Sequence, residues 1–162
     1  MKITTGRVYL FEERVPLRTH QILRKELSEG RQALYISKHS PNQLRSQFDF
    51  DPKLLRTLWL SPRPEQSCIP PMNLEIFEER VNEFLSENVN GIIVLNGVDV
   101  LEMWNGFRPV LEAIRRAKTR VNSNGTNLII SLDPKDYYHS NLSELEKSSD
   151  LVVSSYAESP AL

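Results

Sequence analysis

The sequence has little of several things, and each shortage excludes a class of protein. The single cysteine, Cys68, rules out an internal disulfide and a cysteine-rich metal site, and it favours a reducing cytoplasm as the location. No apolar run approaches the roughly 18 residues that a membrane-spanning helix needs. Neither sign of charge dominates, since 20 Lys and Arg stand against 21 Asp and Glu. A net charge of −1 implies no overall attraction to nucleic acid or to an anionic membrane.

Glycine is scarce, at six residues, and it is missing where one familiar motif requires it. The segment after residues 7–11 has the spacing of a phosphate-binding loop, G-x-x-x-x-G-K-[ST]. Glu12 and Leu17 stand at the glycine positions, Arg18 stands at the lysine position, and Thr19 alone fits. Glycine lets backbone N–H groups surround a phosphate. A carboxylate and a branched side chain in those positions repel phosphate and block close approach of the backbone.

Short apolar runs rich in β-branched and aromatic residues alternate with helical patterns along the chain. They lie at residues 8–11, 33–36, 57–60, 92–95, 128–132 and 151–153. Runs that are apolar throughout are typical of strands covered on both faces, and the alternation predicts an α/β fold with a mostly parallel sheet. We expect a three-layer αβα sandwich with five or six strands, formed by one domain over residues 1–156, and a frayed tail at residues 157–162.

Helical periodicity predicts the layers that cover this sheet. The clearest helix follows Asn73, where apolar residues recur at spacings of three and four: Leu74, Phe77, Val81 and Phe84. Other helices are expected at residues 19–28, 42–48, 107–121 and 141–148. The proline-rich stretch at residues 61–71 is predicted to be an irregular loop outside the sheet.

The order of these elements resembles the core of the RecA- and KaiC-type ATPases. Five strands match in sequence order, at residues 8–11, 33–37, 91–96, 127–132 and 149–153. The motifs Trp59-Leu60-Ser61, Leu95-Asn96-Gly97-Val98 and Asn105-Gly106-Phe107 resemble a narrower group, an archaeal domain of unknown function that is related to the RecA core and lacks the phosphate loop. The resemblance covers about residues 6–154. It implies the strand order 5-1-4-3-2, with residues 8–11 beside residues 92–96.

Three catalytic parts of those ATPases are missing in this sequence. One is the phosphate loop. The strand-end aspartate that holds magnesium corresponds to Asn96, whose amide is neutral, although the narrower group commonly has an acid there. The acidic pair that activates water would fall near His39 and Ser40. Phosphoryl transfer depends on positioning and charge neutralisation, so the resemblance implies a core with no catalysis, cofactor or metal.

We therefore expect a non-catalytic regulatory or protein-interaction module whose partner is another protein or a second copy of itself. Members of the narrower group often look like pieces of larger proteins with sensory or membrane modules, which implies a regulatory setting. The alternative is a nucleotide- or small-anion-binding sensor without hydrolysis. In that hypothesis Arg18, Thr19 and Asn96 bind the anion beside the first helix and a strand end.

Other clusters carry weaker signals. His39, Asp99 and Glu102 could carry relocated enzyme chemistry, and the two acids could form a replacement metal site, although acids at this spacing are far more often exposed surface. The basic residues of the third long helix are expected to compensate the helix dipole rather than bind nucleic acid: Arg108, Arg115, Arg116, Lys118 and Arg120. The aromatic segments at residues 103–104 and 137–139 are expected to cap their own core. The alternatives are that they cover the former nucleotide cleft or form a partner-facing patch.

Overall fold

Seven parallel strands form one sheet in the computed structural model, which describes residues 1–154. The strands are β1 (Val8–Glu12), β2 (Ala33–Ser37), β3 (Leu55–Leu60), β4 (Cys68–Ile69), β5 (Ile92–Asn96), β6 (Asn127–Leu132) and β7 (Leu151–Ser154). Their order across the sheet is β4-β3-β2-β5-β6-β1-β7, and each neighbouring pair is parallel. The predicted α/β class with a parallel sheet is confirmed.

Six helices cover the two faces of the sheet. They are α1 (Leu17–Ser28), α2 (Pro41–Gln47), α3 (Leu74–Glu87), α4 (Val98–Asn105), α5 (Phe107–Asn124) and α6 (His139–Lys147), and a 3-10 turn spans Pro134–Asp136. Buried residues of α1 and α2 pack in one apolar cluster, and those of the other four helices pack in a second. We call these the two-helix layer and the four-helix layer. Within residues 1–154, no helix has the length and apolar character needed to cross a bilayer.

The strands alternate between these layers with a period of two residues. In β1, Val8 and Leu10 belong to the cluster of the four-helix layer, whereas Tyr9 and Phe11 belong to that of the two-helix layer. All five residues of this strand are buried. The pattern explains why the strand is apolar on both sides and why consecutive side chains at its end reach opposite layers.

The strand order matches the expected one, but one neighbour relation is wrong. Among the five strands that carried the resemblance, β7-β1-β6-β5-β2 has the order 5-1-4-3-2. However, β1 does not lie beside β5, because β6 pairs with both of them. The chain leaves β5, passes through α4 and α5 on one face, and returns as β6 in the adjacent position, so β6 separates the two strands.

The proline-rich stretch is not entirely outside the sheet, which corrects a second expectation. Cys68 and Ile69 form β4 and pair with Trp59 and Leu60 at the edge of the sheet. An edge strand needs partners on one side only, and it ends where Pro70 follows. With β4 the sheet has seven strands, whereas five or six were expected.

Two further differences concern helices and the tail. The eight-residue helix α4 was not expected, because only Val98 and Leu101 are buried in it and so short an apolar pattern gives little periodicity. The predicted helices at residues 19–28, 42–48 and 141–148 each begin one or two residues earlier than expected. The expected tail at residues 157–162 lies outside the described residues.

Candidate functional site

A cavity of about 640 Å³ lies at the carboxyl edge of the sheet. Four adjacent strands, β2, β5, β6 and β1, end there side by side. Its walls come from residues 13–17 after β1, residues 38–39 after β2, the start of α4, and residues 131–137 at the end of β6. Ligands of open α/β sheets bind outside the carboxyl ends of the strands, so this cavity is the candidate site.

Glu13 is held by three donors on one wall of the cavity. Its carboxylate oxygen Oε1 accepts a hydrogen bond from the backbone N–H of Arg18 at 2.9 Å. Its Oε2 accepts from the hydroxyl of Thr19 and, at 3.0 Å, from the hydroxyl of Ser131. Glu13 is only 4% exposed, and Thr19 and Ser131 are buried as well. The chain thus places its own negative charge at the start of α1, where unpaired N–H groups and the helix dipole favour an anion.

The local sequence explains why Glu13 serves this role. Pro16 occupies the N-cap position of α1 and makes no side-chain cap hydrogen bond, so the helix lacks the usual Ser, Thr, Asp or Asn cap. Glu13 leaves the end of β1 towards the two-helix layer and supplies the missing oxygen. The carboxylate therefore both caps α1 and joins it to β6 through Ser131.

A second, neutral network lies beside the first. The hydroxyl of Tyr35 is 2.7 Å from Nε2 of His20 and lies within hydrogen-bonding range of the side chain of Asn96. Burial, and after it the nearby Arg24, lower the pKa of His20 to about 4, so His20 is neutral at pH 7. Burial also raises the pKa of Tyr35. The Asn96 amide thus belongs to a network without charge.

Further charged groups follow β2 and β5. Lys38 forms a 2.9 Å ion pair with Asp99, and burial together with Lys38 lowers the pKa of the neighbouring His39. The pKa of Tyr137 is raised by burial and then by the carboxylates of Asp99 and Glu102. Within residues 1–154, no three His, Cys, Asp or Glu side chains are grouped so that they could hold a metal ion.

The three residues of the predicted anion site do not meet around one space. The Arg18 N–H and the Thr19 hydroxyl both bind Glu13, and the Arg18 side chain lines a separate hollow beside Met1 and Val153. Only Asn96 lines the cavity. Sequence reasoning missed Glu13, although a helix start with no capping residue, shortly after a strand-end glutamate, was a usable signal.

The weaker candidates are partly dispersed. His39 and Asp99 line the cavity, whereas Glu102 accepts a hydrogen bond from Asn141 of α6 at 3.2 Å. Three of the basic residues on α5 form ion pairs with carboxylates: Arg115 with Glu144, Arg116 with Glu78 and Lys118 with Asp150. Much of the basic cluster therefore joins α5 to its neighbours.

The expectation that the aromatic segments cap their own core is wrong for three of their residues. Met103, Trp104 and Tyr138 are 74%, 56% and 80% exposed. Tyr137 does pack against the core of the four-helix layer. The reason is that α4 and the start of α6 turn only one side inward, which leaves these large side chains in solvent.

A second buried carboxyl lies at the end of β1, on the other side of the sheet. Glu12 is 6% exposed, and its Oε2 has no hydrogen-bond partner among the residues that the structure describes. Its carboxyl is within hydrogen-bonding range of that of Glu146 on α6. Burial and this like-charged neighbour raise the pKa of Glu12 to about 7.

Comparison with known proteins gives a family for this chain. None of the curated proteins matches the chain. The family described as "Protein of unknown function (DUF835)" matches residues 16–148. That region runs from the start of α1 to the end of α6 and contains three of the four strands that form the cavity. Since the match covers most of the chain, this protein belongs to the DUF835 family of proteins of unknown function.

Proposed function

We propose that this chain is a non-catalytic regulatory or protein-interaction module, built on a degenerate core of the RecA/KaiC ATPase kind. One observation carries the proposal: the Glu13 carboxylate binds the Arg18 N–H and the Thr19 hydroxyl at the start of α1. By the resemblance, these donors belong to the segment that holds nucleotide phosphates in the ATPases.

Charge and burial support this proposal. A phosphate would have to displace a buried carboxylate that three donors satisfy, and until then it would meet a like charge at close range. Glu12 and Asn96, at a glycine position and at the magnesium position, are consistent with the loss of hydrolysis. The strand order 5-1-4-3-2 supports the relation to the ATPase core.

Exposed apolar side chains support an interaction role. Val15 and Leu17, on the wall of the cavity, are 60% and 63% exposed, and Trp104 on α4 is more than half exposed. Contiguous apolar patches in solvent are typical of surfaces that bind other proteins, and Val15 and Leu17 lie on the same wall of the cavity. The partner is another protein or a second copy of this chain, and the mass in solution, measured by light scattering, distinguishes self-association.

A second candidate function is a nucleotide or small-anion sensor without hydrolysis. The cavity favours it, since about 640 Å³ is within the range of small-molecule sites, and Arg14 and Lys38 are among its lining residues. In this candidate the ligand would bind beside Asn96 and not at the occupied start of α1.

Nucleotide titrations test both candidates. We expect ATP, ADP and inorganic phosphate, with or without Mg²⁺, to leave the melting temperature of the wild-type protein unchanged, because only a ligand that binds the native state raises it. We also expect no phosphate release from ATP. Glu13→Ala leaves the donors at the start of α1 without their carboxylate. If phosphate raises the melting temperature of this variant but not of the wild-type protein, the result supports the view that Glu13 occupies the place of a phosphate.

The matched control is Glu87→Ala, which removes an exposed glutamate at the end of α3. A nucleotide-dependent rise in the melting temperature of the wild-type protein favours the sensor function instead. Hydrolysis of ATP by the wild-type protein overturns the proposal.

A further inference from the structure

The charges around the cavity indicate what kind of group it binds. Four carboxylates line it, those of Glu13, Asp99, Asp133 and Asp136, against the two basic side chains of Arg14 and Lys38. The two lining histidines do not change this balance, because burial lowers the pKa of both and leaves them neutral at pH 7. The cavity therefore carries more negative than positive charge.

The acids differ in how far they are already engaged. Glu13 accepts three hydrogen bonds, and Asp99 forms an ion pair with Lys38. Asp136, in the 3-10 turn after β6, is exposed and forms no ion pair with any residue from 1 to 154. A cationic ligand can therefore reach its carboxylate without breaking an ion pair among residues 1–154.

Part of the remaining wall is polar, formed by Gln47, Asn96 and Ser131, and part is apolar. Val15, Pro16 and Leu17 line one side, and Leu132 and Tyr137 line the end near Asp136. Lys and Arg combine a charged head with an apolar stem that packs along surfaces of this kind. A phosphate group fits this combination poorly, because it meets an excess of like charge and has no apolar part.

We propose that this cavity binds a basic side chain, arginine or lysine, of a partner protein, with the charged head at Asp136 and the stem against Val15 and Leu17. This inference rests on the proposed interaction function and adds the chemistry of the partner. Val15 and Leu17 are exposed at the wall. A partner segment that carries the basic side chain into the cavity would cover both of them.

Small-molecule probes in an NMR titration test the inference directly. N-acetyl-arginine amide and N-acetyl-lysine amide should shift the backbone amide signals of Leu17, Asp136 and Tyr137 in the 15N-labelled wild-type protein. N-acetyl-citrulline amide has nearly the shape of the arginine probe but no charge, so we expect its binding to be at least about fivefold weaker. Added salt should weaken the binding of both cationic probes.

Asp136→Asn should weaken the binding of the arginine probe by about fivefold, the size of a solvent-exposed ion pair. The control Glu87→Gln removes a negative charge at the opposite edge of the sheet and should leave binding unchanged. Equal shifts by arginine and citrulline probes, shifts spread over other acidic surfaces, or unchanged binding in Asp136→Asn each overturn the inference.

Failure of this inference differs from failure of the proposed function. If inorganic phosphate shifts the cavity residues and the arginine probe does not, the sensor function gains support and the basic partner is excluded. If neither inorganic phosphate nor the arginine probe binds and ATP is not hydrolysed, the proposed non-catalytic role stands and a basic partner side chain is excluded.

Discussion

Two neighbouring glutamates at the end of β1 share burial but not surroundings. Glu13 turns towards the two-helix layer and accepts hydrogen bonds from three donors. Glu12 turns towards the four-helix layer, where its Oε2 has no hydrogen-bond partner among the described residues and its carboxyl meets that of Glu146. The exposed fractions are 4% and 6%. Burial alone therefore does not decide the state of a carboxyl; the donors within reach of it do.

The difference arises from what each layer presents at this edge of the sheet. The two-helix layer brings the start of α1, with its unpaired N–H groups, and the hydroxyl of Thr19. The four-helix layer brings the apolar residue Leu145 and the carboxyl of Glu146. A hydrogen bond with Ser154 lowers the pKa of Glu12, but its effect is smaller than those of burial and Glu146. Three donors satisfy the carboxyl of Glu13 on the first side, and a protonated carboxyl is favoured for Glu12 on the second.

The largest expected effect comes from removing Glu13. Glu13→Ala leaves the Arg18 N–H and the hydroxyls of Thr19 and Ser131 without their acceptor in a buried place. An unsatisfied buried group costs about 1 to 3 kcal/mol, so we expect the free energy of unfolding to fall by about 4 kcal/mol. Urea denaturation at pH 7 measures this change.

Glu13→Gln is the matched control for shape. Its amide oxygen still accepts one hydrogen bond, and the hydroxyls can rotate to accept from its NH₂ group, so the loss should be about half as large. A loss below about 1 kcal/mol in Glu13→Ala would show that the donors find water instead, and the contrast with Glu12 would disappear.

The second effect depends on pH and concerns Glu12. Its pKa is raised from 4.5 to about 7 in the folded protein, so the folded state binds more protons than the unfolded state between these values. Its contribution to stability is complete below about pH 4.5 and is lost as the pH rises through about 7. At 1.36 kcal/mol per pKa unit, the loss is about 3 kcal/mol at pH 8.

Comparison with Glu12→Gln isolates this contribution. Relative to the wild-type protein, the variant should gain about 2.5 kcal/mol between pH 5 and pH 8 in urea unfolding, because glutamine does not titrate and part of the wild-type loss already occurs below pH 5. Glu146→Gln should reduce the pH dependence but not abolish it, since burial is the larger cause of the raised pKa. A difference between wild type and Glu12→Gln that stays constant from pH 5 to pH 8 would contradict the assignment.

The comparison also shows what the sequence could predict. The alternation of apolar residues in β1 is enough to place Glu12 and Glu13 on opposite sides of the sheet. The parallel strands are enough to place a cavity at their carboxyl edge. The edge strand β4 was missed, because two residues between prolines carry no periodicity of their own.

The partners of the two glutamates could not be predicted in the same way. The Thr19 hydroxyl is six residues from Glu13 along the chain, but Ser131 is 118 residues away and arrives only because β6 pairs with β1. Glu146 approaches Glu12 through the packing of α6 on the sheet. Such contacts follow from strand order, and the expected neighbour of β1 was the wrong strand.

The smallest expected effect concerns a carboxylate in solvent, which is the exposed reference for the two buried carboxyls of Glu12 and Glu13. Glu78 of α3 accepts two hydrogen bonds from Arg116 of α5, at 2.7 and 3.0 Å, with 28% and 56% of the two side chains exposed. Water screens such a pair, so a double-mutant cycle with Glu78→Gln and Arg116→Gln should give a coupling of about 0.5 kcal/mol that decreases at high salt. The pair of Arg80 and Glu83 on one helix is the matched control and should give no more. A coupling as large as the loss in Glu13→Ala would mean that two good hydrogen bonds stabilise a carboxylate equally in solvent and in the core, and burial would then have no part in the difference between Glu12 and Glu13.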